Sequence, residues 1–310
     1  MLKTDIVQGR NQMSVKIFVV HHKVSNVFRN SVFEPIQTGA DFTGIDLGFL
    51  KDNTGDNIAV KNPFWGELTA WYWVLKNWLP VHPEVTSVGF CHYRRVIDIT
   101  TTAKVGSPPF KPISWNGFEN KFQSQAYGEE LFEQMSREYD VFLPGKDLLM
   151  SFRHNFIGNV YDQFVAGHPK SILDNCVDFA IKRELASSSQ VRMVLGSSAF
   201  HSCLNFILRR DLFESLSKWM FQLLSGIDVG NYKKIDLPYN EIRTPAFVAE
   251  RFFDIWLLQQ KGLRIKECDG YFIGNNPYPY NIAWFLSGLK QWLLWKGGLR
   301  EHTPLPTIIT

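Results

Sequence analysis

Apolar positions along the chain switch between two periods, and the switches mark out alternating strands and helices. Val15 to Val20 is a continuous, β-branched-rich run, the pattern of a strand buried on both faces. It ends in His21-His22-Lys23, and polar residues after a buried first strand sit at the carboxyl edge where open α/β sheets bind ligands. Residues 34–62 are rich in turn formers and predict loop, including Asp52-Asn53-Thr54-Gly55-Asp56-Asn57. Asn62-Pro63 then opens a helix, with Leu68, Trp71, Tyr72, Leu75 and Trp78 on one face and Pro80 as its stop. A second buried strand, 85–99, carries Cys91-His92-Tyr93-Arg94-Arg95. The prolines and glycine of 101–125 predict a long loop. Further helices are expected over 125–139, 158–184, 210–224 and 245–262, with strands at 140–145, 199–209 and 263–273. Strands alternating with helices predict an α/β protein with a mostly parallel sheet flanked by helices.

The two ends stand apart from this pattern. Residues 1–12 are polar and aperiodic, and predict a flexible extension before a domain spanning 13–275. Residues 276–310 form an aromatic and basic tail in which Phe285, Leu289 and Trp292 share a helical stripe, with Lys290, Lys296 and Arg300 nearby. A docked terminal helix and an interfacial membrane anchor both fit that pattern.

Composition narrows the function classes. The 310 residues are 45% hydrophobic and 20% charged with a net charge of +3, which excludes wholesale disorder and gives no basic stripe for nucleic acid. There is no apolar run long enough for a transmembrane helix, and no secretory h-region among the first residues. The four cysteines are scattered, which predicts a cytoplasmic protein without a disulfide framework or structural zinc. Aromatic content is high, with 25 Phe, 10 Trp and 10 Tyr, enough to build both core and stacking platforms.

The dinucleotide, P-loop, zincin and nucleophile-elbow motifs are absent, as is an Asp-x-Asp pair at a strand end. The strongest cluster is His92-Tyr93-Arg94-Arg95. Guanidinium forks match phosphate oxygens, so adjacent arginines can clamp a diphosphate. Strand alternation would put them on opposite faces, leaving one to a structural ion pair. His92 can ligate a metal or donate to a phosphate. Asp56 can touch a base or ribose, or merely close its turn, and the loop lacks the terminal Glu of a calcium site. Glu67, Asp162 and Glu250 are candidate general bases. Against each stands a plainer reading: helix-dipole preference for Glu67, surface capping for Asp162 with His168, and an ion pair with Arg251 for Glu250.

Taken in order, His21-His22-Lys23, Pro35-Ile36-Gln37-Thr38-Gly39, the Asp52 to Ile58 turn, the Lys61-Asn62 to Trp73 helix and His92-Tyr93-Arg94-Arg95 resemble a bacterial family of capsular and exopolysaccharide biosynthesis proteins. That family was long catalogued only as a domain of unknown function. Tyr161-Asp162-Gln163 with His168, the Leu204 to Leu224 stretch, and Arg243 with Phe247 and Glu250-Arg251 extend the likeness over residues 15–275. Ala59-Val60 and Leu204-Asn205-Phe206 depart from the family pattern in packing residues. The resemblance implies a GT-A-like, Rossmann-type glycosyltransferase using a UDP-sugar, with galactose or galactofuranose as the sugar and a growing surface glycan or lipid-linked glycan as acceptor. It implies donor contacts from His21, His22, Lys23, Asp56, Lys61, Asn62, His92, Tyr93, Arg94 and Arg95. Acceptor contacts would come from His168, Asn205, Arg243 and Arg251. His-Tyr-Arg-Arg would stand where related enzymes carry Asp-x-Asp, with either no cofactor or a divalent cation, Mn²⁺ or Mg²⁺, at His92. A lipid-linked acceptor would bring the protein to the inner face of the membrane. A non-catalytic carbohydrate-binding protein and a phosphate-handling hydrolase are the competing readings.

Overall fold

A computed structural model describes residues 14–122, 127–151, 154, 158–227 and 242–274, with positions 286, 289, 290, 292–294, 296 and 297 of the tail. The expected extension at 1–12 lies outside the described residues.

Among the described residues eleven strands are formed: β1 Ser14–His21, β2 Phe33–Gln37, β3 Leu50–Lys51, β4 Val85–His92, β5 Arg95–Asp98, β6 Phe110–Ile113, β7 Val141–Pro144, β8 Asp147–Leu148, β9 Ala199–Phe200, β10 Phe206–Arg209 and β11 Ile265–Ile273. Nine make one sheet in the order β10-β7-β11-β5-β4-β1-β2-β3, with β6 beside β11 and β10 also bonded to β4. β8 and β9 pair separately. Only part of the large sheet is parallel. β1 runs parallel to β2 and β4, but β10 is antiparallel to β4 and β7, and β5 is antiparallel to β4 and β11. β2 with β3 and β11 with β6 and β7 are parallel as well, so the sheet is mixed, with parallel pairings in the majority but no uninterrupted parallel Rossmann order. The strand expected over 85–99 does not run straight. It turns at Tyr93-Arg94 and comes back as β5, with His92 opposite Arg95, and antiparallel neighbours can be joined by such a tight turn without a crossover helix.

The helices are α1 Ala40–Thr43, α2 Asn62–Trp65, α3 Leu68–Trp73, α4 Trp115–Phe122, α5 Glu129–Glu138, α6 Val160–Val165, α7 Lys170–Lys182, α8 Ser188–Leu195, α9 Arg210–Leu224 and α10 Thr244–Gln259. Strand side chains alternate between two cores. Phe18 and Val20 of β1, Phe90 of β4, Phe206 of β10 and Leu143 of β7 face a core shared with α7 to α10. Their neighbours Ile17, Val19, Cys91, Ile207 and Phe142 face a second core with Phe118, Phe122 and Phe132 of α4 and α5. The result is helix, sheet, helix in three layers.

Several local expectations change. The helix expected from Asn62 is broken at Gly66, whose φ of 54° and ψ of −128° no helix accommodates. Residues 34–62 hold β2 and β3 as well as loop. Pro35 is tolerated in β2 because β3 pairs only with Ile36 and Gln37. The 101–125 segment holds β6 and all of α4. The strand expected over 199–209 is two short strands separated by a loop, and the 158–184 helix is two.

Candidate active site

The parallel register sets Val20 level with His92, so β1 and β4 end at the same edge of the sheet. A cavity of about 490 Å³ opens there. His22 follows β1, His92 ends β4, and Tyr93 and Arg94 form the turn into β5, which begins with Arg95; all five line the cavity. The turn alters the expected alternation: Arg94 and Arg95 face one cavity rather than opposite sides of a strand. Another wall comes from Asn62 of α2, from Gly66 and Glu67 between α2 and α3, and from Arg243 just before α10 and Glu250 within it.

A buried carboxylate holds that wall together. Asp52 accepts the Gly39 N–H at 2.9 Å, the Ala40 N–H at 3.3 Å and the Thr69 hydroxyl at 2.6 Å. Asn62 donates to Thr69 Oγ1 at 3.0 Å and to the Gly66 carbonyl at 2.9 Å, fixing the break between α2 and α3. That break turns Glu67 inward. One of its oxygens lies 3.6 Å from His92 Nε2 and the other 3.3 Å from Arg243 Nη2.

The imidazoles are held neutral near pH 7. Burial pushes His92 down to about 4, assisted by Arg95, Arg243 and His22 and opposed by Glu67. His21, fully buried and stacked on Tyr93 at 5.5 Å, is lowered to about 4 by burial and then by His22. His22 is lowered by partial loss of water and then by Arg243, Lys23 and Arg94. Glu250 moves the other way. Burial raises it and the Glu67 charge adds to this, while Arg251, Arg95 and an N–H from Cys203 pull it back. Behind it, fully buried Arg251 bonds Glu250 at 2.8 Å and the Phe247 carbonyl at 3.0 Å, and also bonds Gln163, between the rings of Phe164 and Phe200.

The remaining sequence candidates fall elsewhere. Lys23 is exposed beyond the cavity wall. Asp56 is exposed and accepts from Tyr72 Oη at 3.0 Å, and Lys61 rests on the Trp65 ring at 4.3 Å. Asp162 is buried in the first turn of α6, where its N–H bonds Asn159; its neighbour Gln163 is the one that reaches the Arg251 behind the site. His168 stacks on the outer side of cavity-lining Phe247 at 4.2 Å. Asn205 is buried and bonds the Cys203 carbonyl. Phe247 of the Arg243 to Arg251 stretch lines the cavity as well, and so do Phe42, Gly66 and Cys203, which the sequence did not point to. Phe42 left a signal, a large aromatic within the turn-forming Asp41-Phe42-Thr43-Gly44 stretch, and the structure leaves it 54% exposed.

Among the described residues no three His, Cys, Asp or Glu side chains group as metal ligands. His92 and Glu67 offer two donors, and Arg243 takes the second Glu67 oxygen. Two such donors are too few to hold a divalent cation by side chains alone.

Fold and site together define an α/β protein with an arginine-lined cavity at the carboxyl edge of its sheet. Residues 16–261 match the family described as "Domain of unknown function (DUF4422)", and the chain belongs to it. Among solved structures it is similar to the apo form of the WbbM bifunctional glycosyltransferase, at 28% identity and a TM-score of 0.70. That likeness covers 86% of this chain but 46% of the other, so the chain spans about half the length of that enzyme. No curated protein gives a significant match.

Proposed function

We propose that the protein is a glycosyltransferase that moves a sugar, galactose or galactofuranose, from a UDP-sugar to a growing bacterial surface glycan such as a capsular, O-antigen or exopolysaccharide chain. The observation that carries the reading is the cavity at the ends of β1 and β4, lined by Arg94, Arg95 and Arg243 beside two carboxylates. Likeness to part of a glycosyltransferase supports it.

The arginines hold the diphosphate, on which charge grows as the glycosidic bond breaks. In an inverting transfer the acceptor hydroxyl oxygen attacks the anomeric carbon and the bonding pair leaves with UDP. The hydroxyl proton passes to Glu250. A carboxylate raised by burial is a better proton acceptor near neutral pH than an exposed one. Glu67 orients His92 and Arg243. Among the described tail residues Leu286, Trp292 and Leu293 are exposed and the Lys296 ammonium lies 5.4 Å from the Trp292 ring, which supports attachment of 281–300 to an anionic membrane face.

The test is UDP release from UDP-galactose and UDP-galactofuranose, against GDP- and CMP-sugars. Release from a UDP-sugar that falls by about 100-fold or more in Glu250→Gln is expected. Tight glycan binding with no release from any donor would favour the carbohydrate-binding reading, and phosphate release from monoesters the hydrolase.

A further inference from the structure

Glu250 and Arg251 are neighbours on α10, and successive helix side chains diverge by about 100°. Glu250 lines the cavity, whereas Arg251 enters the core and is only 2% exposed. The arginine is long enough to reach back. Its Nη1 donates to Glu250 Oε2 at 2.8 Å and to the Phe247 carbonyl at 3.0 Å. Its Nη2 donates to the side-chain oxygen of Gln163, on α6. The guanidinium is a planar, rigid fork, so holding Nη2 also fixes where Nη1 points. The rings of Phe164 and Phe200 cover it, 5.5 and 5.0 Å from Cζ.

The supports of this fork are themselves tied down. Asn159 caps α6 by accepting the Asp162 N–H at 2.7 Å, and the Val160 N–H bonds the Ser197 carbonyl at 2.9 Å. Phe200 is followed by His201, whose N–H goes to Asp254 Oδ2 at 3.0 Å and whose Nδ1 lies 2.6 Å from Asp254 Oδ1, one turn beyond Glu250 on α10. Stability alone does not call for a charge here, because a buried ion pair is often replaced by apolar side chains at no loss. What the arrangement does achieve is to leave one side of Glu250 toward the cavity with the other held from behind.

We propose that Arg251 and Gln163 are positioning residues for Glu250: Gln163 holds one end of the guanidinium, which keeps the other end on Glu250 Oε2 and so fixes the carboxylate at the cavity wall. The role rests on Glu250 being the base of the proposed transfer. It sets Arg251 behind that base, where the resemblance implied an acceptor contact. A cation at this range favours the charged carboxylate, against the burial that raises it. Glu67 and Arg95 also face Glu250, and Cys203 and Asp147 face Arg251.

The experiment follows the Glu250 carboxyl by ¹³C NMR in glutamate-labelled full-length protein, assigned with Glu250→Gln, and compares wild type with Arg251→Met and Gln163→Leu. Removing the charge in Arg251→Met is expected to raise the Glu250 midpoint by about 1–3 pH units. The acid limb of kcat/KM for UDP release should move by the same amount, while UDP affinity by calorimetry stays within about twofold of wild type. Gln163→Leu keeps the charge and removes its anchor, so a smaller displacement in the same direction is expected. An unmoved midpoint in folded Arg251→Met overturns the positioning role, and so does a loss of turnover equal at every pH. A displacement there with none in Gln163→Leu overturns the part assigned to Gln163. Should Arg251→Met fail to fold, Gln163→Leu decides alone, and an unmoved midpoint in it overturns the proposal. A moved midpoint in a protein that releases no UDP from any donor leaves the positioning pair standing and overturns the transferase reading instead.

Discussion

Gly66→Ala tests whether the break between α2 and α3 is what sets Arg243 and Glu67 in place. At φ 54° and ψ −128° the backbone of Gly66 lies where a side chain is strained, at a cost of roughly 1–3 kcal/mol. The new methyl would also fall 2.1 Å from Arg243 Nη2 and 3.2 Å from its Cζ. Ordinary contact needs about 3.5 Å or more, so the guanidinium must retreat by over an ångström, pulling against its 3.3 Å contact to Glu67. Strain alone predicts a fall in Tm of roughly 2–5 °C for a chain of this size. Displacing a charge-stabilising group predicts a loss of about 10²–10³ in the rate of UDP release. Thermal unfolding and UDP release on Gly66→Ala, Arg243→Ala and the double variant separate the two effects. If the clash acts through Arg243, the double variant turns over no more slowly than Arg243→Ala alone, because the methyl then meets open space. Rate losses that simply multiply in the double variant, or a Gly66→Ala protein with unchanged Tm and rate, would refute the reasoning.

Arg94→Ala should cost about two to three decades in UDP release with little change in Tm, since Arg94 is exposed and its guanidinium rests on the faces of Tyr93 and Phe272. A rate within about threefold of wild type would remove Arg94 from the diphosphate site and point to Arg95. Stability should decline on both sides of neutrality. His21 and His92 titrate near 4 in the fold and 6.5 when unfolded, so the unfolded chain binds protons first and stability falls as pH drops from about 6.5 toward 4. His201 has the opposite sign: its contribution is complete below 6.5 and disappears as pH rises through about 9, and a melt series on His201→Gln should lose that alkaline decline. Truncation after Pro279 should abolish co-sedimentation with anionic liposomes; equal pelleting of both folded proteins, or none of either, discards the membrane anchor.

The legible parts of the chain were those where one local rule sufficed. β1, α9, α10 and β11 announce themselves by period alone, and the carboxyl edge of β1 and β4 followed from where their apolar runs stop. The mixed sheet was illegible because it depends on the two-residue turn at Tyr93-Arg94, and arginine is no turn signal. β2 was hidden by Pro35, which reads as a loop until its one-sided pairing is known. Ser187 with Gln190 is a capping box and does announce α8; it passed unread inside a run of serines. Site residues divide in the same way. Glu67 and Glu250 were visible as carboxylates near helix starts, whereas Cys203 and His201 owe their places to a left-handed backbone and to Asp254, 53 residues away from His201 in sequence. Asp162 was singled out where its neighbour Gln163 makes the contact, because a helix turns successive side chains by about 100°.

The distribution of charge in the cavity gives the donor a direction. With His22 and His92 neutral near pH 7, fixed positive charge comes from arginine and changes little across the physiological range. The carboxylates are answered locally, Glu67 by Arg243 and Glu250 by the buried Arg251 behind it. Arg94 is exposed on the turn and has no carboxylate partner among the described residues, while Glu67 is buried and Glu250 shielded. Positive potential is therefore strongest at the turn and negative potential lies deeper. On the proposed reading the diphosphate rests against the β4–β5 turn and the anomeric carbon points toward Glu250. Reversing that order would set a dianion against two buried carboxylates, at a cost that grows as the surrounding dielectric falls.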